Sequence, residues 1–235
     1  MLLKFIFFIF VFFMPFFSSA NEGVWINATR LVYVEGDFSK SLGVSNASEK
    51  RPYLIRSWIV DENGKNSNWV VTPPIYKIKE KGSLQLRITA TDTNKLPKEY
   101  ESIFYINVLA IPGEESDKDA INPNDISGRL NFAVNTKLKV FYRPDSLSDK
   151  KASEEYKKIK FIANNTNLKI DNPSPFYINF SELKVDGVEV KSDEKMIKPF
   201  SSLNITTKKK PTKVVYSVIN DFGGETQRIN VTPEG

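Results

Sequence analysis

The residues of this chain that could carry out chemistry are carboxylates and cations, because its 235 residues include no Cys and no His. That composition excludes thiol nucleophiles, Ser–His triads and zinc sites built on Cys or His. It also excludes the disulfides that hold many small exported domains together. Hydrophobic cores must therefore stabilise the fold.

A cluster of acidic residues lies in a long connection between Ile111 and Gly128. Its members are Glu114, Glu115, Asp117, Asp119 and Asp125. Carboxylates could ligate calcium, but this stretch lacks the glycine and the ligand spacing of an EF-hand, so a solvated loop is the better interpretation. No feature of the sequence places two carboxylates across a cleft, as a glycoside hydrolase would need. We therefore predict no enzymatic activity, no metal and no cofactor.

Basic residues outnumber acidic ones by 33 to 28, which gives a net charge of +5. Runs such as Lys208–Lys210 and Lys157–Lys158 could contact nucleic acid. The sequence shows no aromatic binding platform beside them, so solvated loops are favoured and no nucleic-acid partner is predicted.

The longest regular pattern is RLNFAVNTKLKVFYRP, from Arg129 to Pro144. Apolar residues alternate with mostly polar ones, which predicts a long β-strand with one apolar face. Pro144 cannot donate to a sheet ladder, so the strand ends there. Two interpretations are open. The strand could cover the core of its own domain, which the pattern alone favours, or it could be an edge offered to another chain.

Short strand-like runs separated by turn residues fill the rest of the chain, and they predict an all-β fold built from sandwiches. In the first half they are Val24–Val34, Tyr53–Val60, Trp69–Val71, Ser83–Thr91 and Ser102–Ala110. In the second half they are Ile159–Ala163, Phe176–Phe180, Leu183–Val185, Val188–Val190, Ser202–Thr206, Val214–Ile219 and Thr226–Val231. The length suits two domains, which we place at residues 21–143 and 144–235. Asp186-Gly187 predicts a tight hairpin turn.

The first twenty residues are typical of a cleaved export signal. Lys4 supplies a positive charge, Leu2–Phe17 is almost wholly apolar, and Ser18-Ser19-Ala20 offers small residues at a cleavage site. We expect cleavage after Ala20 and an exported, soluble mature protein.

Thr136–Pro144 (TKLKVFYRP) resembles the signature strand of the periplasmic pilus-assembly chaperones of chaperone–usher pathways, the PapD-like family. Four further stretches resemble family motifs in the same order: Thr29-Arg30, Glu101–Pro112, Asn172–Ile178 and Ile219–Gly224. The resemblance implies two immunoglobulin-like domains in an L or boomerang arrangement, in the Gram-negative periplasm. Leu96–Tyr100 departs from the family pattern, and the long loop without a disulfide leaves the branch of the family open.

The resemblance implies a chaperone that binds, folds and caps pilus subunits, one to one, by donating a strand to their open groove. It also implies delivery of the subunit to an outer-membrane usher. Association of two free molecules through the same strand is left open. The alternative is a secreted immunoglobulin-like adhesion module, which would normally carry a Cys…Trp…Cys pattern that this chain lacks.

The family motifs also assign roles to particular residues. Arg30 and Lys137 match the pair of cations that grips the C-terminal carboxylate of the subunit. The donated residues are then Leu130, Phe132 and Val134, which share one face of the strand. Glu101, Arg143 and Asp221 match a network of salt bridges between the two domains. From the pattern alone, ordinary structural charges are the favoured interpretation of Lys137 and Arg30, and only the resemblance reverses that order.

Overall fold

The computed structural model describes residues 23–114, 131–149, 152–191 and 195–235. The predicted signal sequence and Leu130 lie outside these residues, as does most of the predicted acidic loop. No helix in the described ranges is long and apolar enough to span a membrane.

The first domain pairs two sheets face to face around one core. Its strands are β1 (Val24–Ile26), β2 (Arg30–Val34), β3 (Lys40–Asn46), β4 (Tyr53–Asp61), β5 (Trp69–Thr72), β6 (Ile75–Ile78), β7 (Ser83–Ala90), β8 (Ser102–Pro112) and β9 (Val134–Arg143). One sheet runs in the order β1-β3-β7-β5, and the other in the order β2-β9-β8-β4-β6. The period of two in β7 explains the packing, because Leu84, Leu86 and Ile88 are buried while the residues between them are exposed.

The predicted strand Val24–Val34 is two strands in the structure, and they belong to different sheets. β1 pairs with β3, whereas β2 pairs in parallel with β9. The change of sheet occurs at Asn27, whose backbone N–H donates to the carbonyl of Gly43 and whose Oδ1 accepts from the Gly43 N–H. A side chain at Gly43 would meet the Asn27 amide at 2.8 Å, so the close crossing favours glycine there. The switch places Arg30 at the start of a strand that lies beside β9.

The second domain is built in the same way from shorter strands. They are β10 (Lys160–Asn164), β11 (Asn167–Asp171), β12 (Ile178–Val185), β13 (Val188–Glu189), β14 (Met196–Ile197), β15 (Ser202–Thr206), β16 (Val214–Val218) and β17 (Ile229–Val231). One sheet runs β10-β11-β15 and the other β13-β12-β16-β17, with β14 also paired to β12. The predicted hairpin is confirmed: Asp186 and Gly187 join β12 to β13 with positive φ angles of 49° and 83°.

Sequence reasoning missed β3, β6, β11 and β14, and it divided β12 into two strands. β3 and β11 carry Gly, Ser, Asn or Lys at positions that weaken the strand pattern, and their pairing with neighbours decides the outcome. A short helix, α1 (Ala152–Glu155), and flanking 3-10 turns connect the two domains. β9 begins at Val134, so Phe132 precedes the strand and is not part of it.

Candidate functional site

Two cations lie side by side where β2 meets β9. In the parallel register of these strands, Arg30 is the partner of Lys139, and Tyr105 of β8 is the partner of Lys139 on the other side. Burial, and then the positive charge of Arg30, lowers the pKa of Lys139. The proximity of two like charges is unfavourable unless an anion joins them, so this pair is suited to bind a carboxylate.

Lys137 lies two residues before Lys139, on the same face of β9. It is opposite Asn107, and its ammonium nitrogen lies 4.1 Å from the centre of the Tyr105 ring. The structure therefore brings Lys139, rather than Lys137, directly opposite Arg30. Sequence reasoning did not select Lys139. The alternation of β9 shows that both lysines share a face, but only the register with β2 distinguishes them.

The guanidinium of Arg30 is held by both domains. Its Nη1 donates to the carbonyl of Ile219 at 3.0 Å, and its carbon lies 5.4 Å from the centre of the Phe141 ring. Arg30 is only 9% exposed. Burial lowers its pKa, while the negative charges of Asp221 and Glu101 work in the opposite direction. An arginine stays charged under these conditions, so the result is a fixed and poorly solvated positive charge.

Glu101, Arg143 and Asp221 form one hydrogen-bonded network between the domains. Arg143 donates through Nε and Nη2 to Glu101 Oε1 at 3.0 and 2.8 Å, and through Nη1 and Nη2 to the two oxygens of Asp221 at 2.8 and 2.9 Å. The Arg143 and Glu101 side chains are 8% and 3% exposed, whereas that of Asp221 is 35% exposed. The structure thus brings these three predicted residues together.

The electrostatics of the network follow from burial. Desolvation raises the pKa of Glu101, although Arg143 and the backbone N–H of Tyr177 oppose the shift. Burial also works to lower the pKa of Arg143, but the hydrogen bonds and charges of Asp221 and Glu101 outweigh it and raise that pKa. Two carboxylates surround one guanidinium, and the nearby charge of Arg30 balances the second.

The turn that follows β16 connects the network to the cation pair. Asn220 Oδ1 accepts from the N–H groups of Phe222 and Gly224, both at 3.0 Å. Gly223 has a φ of 84°, and a side chain there would lie 2.3 Å from Thr29 Oγ1. Thr29, the residue before Arg30, therefore packs against the turn that carries Asp221. Glycine is favoured at position 223 of this turn because of its positive φ angle and because of the nearby Thr29 side chain.

One edge of β9 is free over half of its length. β8 pairs with β9 from Val134 to Tyr142, whereas β2 pairs only with Lys139–Arg143. Within the described residues, Val134–Leu138 therefore have no strand on their second side. Phe132 and Val134 are 74% and 60% exposed, so neither belongs to the core of its own domain.

An opening of about 220 Å³ lies between the two sheets beside this free edge. Its apolar lining includes Val24, Ile26, Val108 and Ala110, together with Phe132 and Val134. Unpaired backbone groups and exposed apolar side chains thus occur along the same edge. This combination is suited to the addition of a strand from another chain.

Other kinds of site find little support in the described part of the chain. No group of three or more acidic, Cys or His residues within it could hold a metal ion. Of the acidic cluster predicted as a solvated loop, only Glu114 is described.

Comparison with known proteins gives matches over both domains. The family model "Pili and flagellar-assembly chaperone, PapD N-terminal domain" matches residues 23–148, and "Pili assembly chaperone PapD, C-terminal domain" matches residues 154–230. The chain is similar to chaperone protein LpfB of Salmonella typhimurium, with 37% identity over 91% of this chain and 92% of the relative.

Solved structures agree with these matches. The chain is similar to the E. coli chaperone DraB, with 31% identity, a TM-score of 0.75, and coverage of 91% of this chain and 97% of the other. It is also similar to a complex of the Salmonella enterica SafA pilin with the SafB chaperone, with 25% identity, a TM-score of 0.76, and coverage of 90% and 96%. The predicted all-β fold of two sandwich domains is confirmed.

Proposed function

Because this chain belongs to the PapD family of pili assembly chaperones, we propose that it binds pilus subunits in the periplasm and delivers them to an outer-membrane usher. The observation that carries this proposal is the free edge of β9, with Phe132 and Val134 exposed beside it. The similar SafB chaperone has been solved in complex with a pilin, which supports a subunit of that class as the partner.

The physical basis of binding is the completion of an unfinished sandwich. A subunit that lacks one strand exposes unpaired backbone groups and an apolar groove, and such edges aggregate. The free half of β9 offers backbone donors and acceptors for the missing ladder. Phe132 and Val134, with Leu130 before them, supply apolar side chains for the groove. Burial of one large apolar side chain contributes about 1.5–3 kcal/mol, so a few such residues can hold the subunit.

The register of the added strand is fixed, in this proposal, by the carboxylate at the C-terminus of the subunit. Arg30 and Lys139 bind the carboxylate, and Lys137 adds a positive charge at the next position on the same face of β9. A slip of one residue would turn every apolar side chain away from the groove, so an anchor at one end is needed. A planar guanidinium can make two parallel hydrogen bonds to a carboxylate, and a nearby ammonium adds a compact charge.

The network of Glu101, Arg143 and Asp221 has an architectural role in the same proposal. It fixes the angle between the domains, and this angle decides where Ile219 holds Arg30. The loss of one partner would leave a buried charge without compensation, which is costly.

Export to the periplasm depends on the first twenty residues, which we propose are removed after Ala20. Intact-mass measurement of the protein from a periplasmic extract should give a chain that begins at Asn21. A full-length protein in the membrane fraction would contradict this assignment.

Purification from periplasm tests the proposed function directly. The tagged protein should retain a pilin-like subunit in a one-to-one complex, and the subunit should be degraded or aggregated in cells that lack the chaperone. The Lys208→Ala variant is a matched control, because Lys208 is an exposed cation far in sequence from β9. Recovery of the protein without any subunit, under conditions in which subunits are produced, would favour the adhesion-module alternative.

A further inference from the structure

Within the part of the second domain that the structure describes, the buried side chain of Asn179 has no partner for its polar atoms. Asn179 lies on β12 and is 3% exposed, and among the described residues neither Oδ1 nor Nδ2 makes a hydrogen bond. Burying an amide without a partner is unfavourable by about 1–3 kcal/mol, so such a group usually has a purpose or a bound water.

Asn179 lies close to the guanidinium of Arg30. The carbonyl of Asn179 accepts from the N–H of Ile219 at 2.8 Å, and the carbonyl of Ile219 accepts from Arg30 Nη1 at 3.0 Å. Arg30 and Asn179 also line one cavity in the cleft between the domains. Glu101 and Asp221 line the same cavity, so its walls are partly polar.

Arg30 also has a buried polar atom, Nε, that makes no hydrogen bond to a described residue. Nε–H can only donate, whereas the amide of Asn179 can both donate and accept. The cavity has a volume of about 20 Å³. A single water needs a cavity of about 10–15 Å³, and it also needs two or more polar partners.

We propose that Asn179 is a positioning residue for the carboxylate anchor and acts on Arg30 through one buried water. The water accepts from Arg30 Nε–H and donates to Asn179 Oδ1. This inference rests on the proposed function, because it assumes that Arg30 binds the carboxylate of a subunit. Its consequence is that the second domain, and not only β2 and the neighbouring β9, determines how the guanidinium is presented.

The arrangement fixes one edge of the guanidinium and leaves another for the ligand. Nη1 donates to Ile219, and Nε is held through Asn179, while Nη2 donates to no residue of the described part of the chain. The guanidinium is planar, so two fixed nitrogens define the direction of the third. A preorganised donor loses less conformational freedom when the carboxylate binds, and this increases affinity.

The test uses a synthetic peptide copied from the last strand of the subunit that co-purifies, made with a free carboxylate or with an amidated C-terminus. The wild-type protein should prefer the free carboxylate by about tenfold or more. Asn179→Leu removes both polar atoms at similar volume and should reduce that preference by about three- to tenfold. Asn179→Ser keeps a hydroxyl and leaves room for a second water, so it should retain most of the preference.

Ser57→Ala is the matched control. Ser57 is also 3% exposed and its Oγ likewise makes no hydrogen bond to a described residue, but it lies on β4 and does not line the cavity beside Arg30. This variant should bind both peptides as the wild type does. The Nε–H of Arg30 should be protected from solvent exchange in NMR spectra of the wild type and the Ser57→Ala variant, and should lose protection in the Asn179→Leu variant.

The outcomes separate this inference from the proposed function. A wild-type protein that binds both peptides equally would overturn the carboxylate anchor and this inference with it. A wild-type preference that persists in full in Asn179→Leu would overturn the positioning role alone. An equal loss of affinity for both peptides, together with a lower melting temperature in both the Leu and Ser variants, would show that Asn179 only stabilises the fold, and would also overturn it.

Discussion

The two halves of β9 have different surroundings although they form one continuous strand. Lys139–Arg143 lie between β2 and β8, and Val140 and Tyr142 are fully buried. Val134–Leu138 pair only with β8, and Val134 is 60% exposed. Val134–Leu138 alternate between apolar and polar residues, whereas Val140, Phe141 and Tyr142 are consecutive apolar residues and all are buried.

The two halves differ in what covers their apolar face and in whether a strand pairs with their second edge. In the second half, β2 and the opposite sheet provide both. In the first half the domain buries only Leu138, and among the described residues no strand pairs with the second edge. A strand that keeps an uncovered apolar edge is open to aggregation unless a partner uses it. The buried half of β9, Lys139–Arg143, therefore fixes the position of the free half, Val134–Leu138, which pairs only with β8.

Tyr142→Ala should give the largest effect, and it acts on the buried half of the strand. Tyr142 is fully buried and its ring lies 6.4 Å from that of Tyr33. Truncating a buried aromatic side chain to Ala lowers the free energy of unfolding by about 3–5 kcal/mol. Chemical denaturation of the purified variant measures this loss. Stability close to that of the wild type would mean that the two halves of β9 do not differ as described.

Phe132→Ser should have the opposite profile. Because Phe132 is 74% exposed, its loss should change the free energy of unfolding by less than about 0.5 kcal/mol. Subunit binding should weaken by about ten- to a hundredfold, since one large apolar side chain no longer enters the groove. Both the free energy of unfolding and the affinity for the subunit must be measured on this variant. A large loss of stability in the free protein would argue that Phe132 covers the core of its own domain.

Asp221→Asn tests how the end of the buried half is joined to the second domain. Arg143, the last residue of β9, would keep Glu101 but lose the charge of Asp221. Charge-assisted hydrogen bonds contribute about 1.5–3 kcal/mol each, and the partial exposure of Asp221 reduces this value. Small-angle scattering should show a wider range of domain angles, and the melting temperature should fall. If the scattering curve and the melting temperature of Asp221→Asn equal those of the wild type, the network does not fix the angle between the domains.

The sequence predicted the alternation of β9 and its end before Pro144, because both depend on local geometry. It did not predict that β2 covers only Lys139–Arg143, since the parallel register depends on the switch of sheet at Asn27. For the same reason the sequence suggested Lys137 as the partner of Arg30, whereas the structure places Lys139 there. The family motifs brought Glu101, Arg143 and Asp221 to attention, but no pattern pointed to Asn179, whose significance arises only from what it packs against.

Lys139→Ala and Lys137→Ala test the boundary between the two halves of β9, because Lys139 lies on the buried side of it and Lys137 on the free side. Lys139 lies beside Arg30 and is half-buried, whereas Lys137 is exposed above the Tyr105 ring. The loss of a partly buried charged hydrogen bond should weaken binding by about tenfold or more, and the loss of the exposed cation by less than about fivefold. Affinity for the free-carboxylate peptide measures both, with the amidated peptide as control. The reverse order would favour Lys137 as the anchor.

The smallest expected effect concerns the far end of the buried half, where Glu35 follows β2. Its backbone N–H donates to the carbonyl of Arg143, and its side chain accepts from Lys98 and from the backbone N–H of Asp145 at 3.2 Å. The hydrogen bond from Lys98, and then that from Asp145, lowers the pKa of Glu35 from its ordinary value of 4.5. The folded state therefore holds the proton less tightly than the unfolded state. This contribution to stability is present above the ordinary pKa and is lost as the pH falls through the lowered folded-state value.

Glu35→Gln removes the charge and keeps one of the two oxygens, so at most one of the two hydrogen bonds stays in place. At neutral pH the variant should be less stable by no more than about 1 kcal/mol, the usual range for an exposed ion pair. As the pH is lowered below the ordinary value, the difference between the two proteins should shrink, because the wild-type carboxylate becomes protonated. Thermal unfolding across this acid range measures it, and subunit binding at neutral pH should be unchanged because the free half of β9 is not affected. A difference that stays constant with pH would mean that Glu35 holds the end of β2 through its shape and hydrogen bonds alone, and not through its charge.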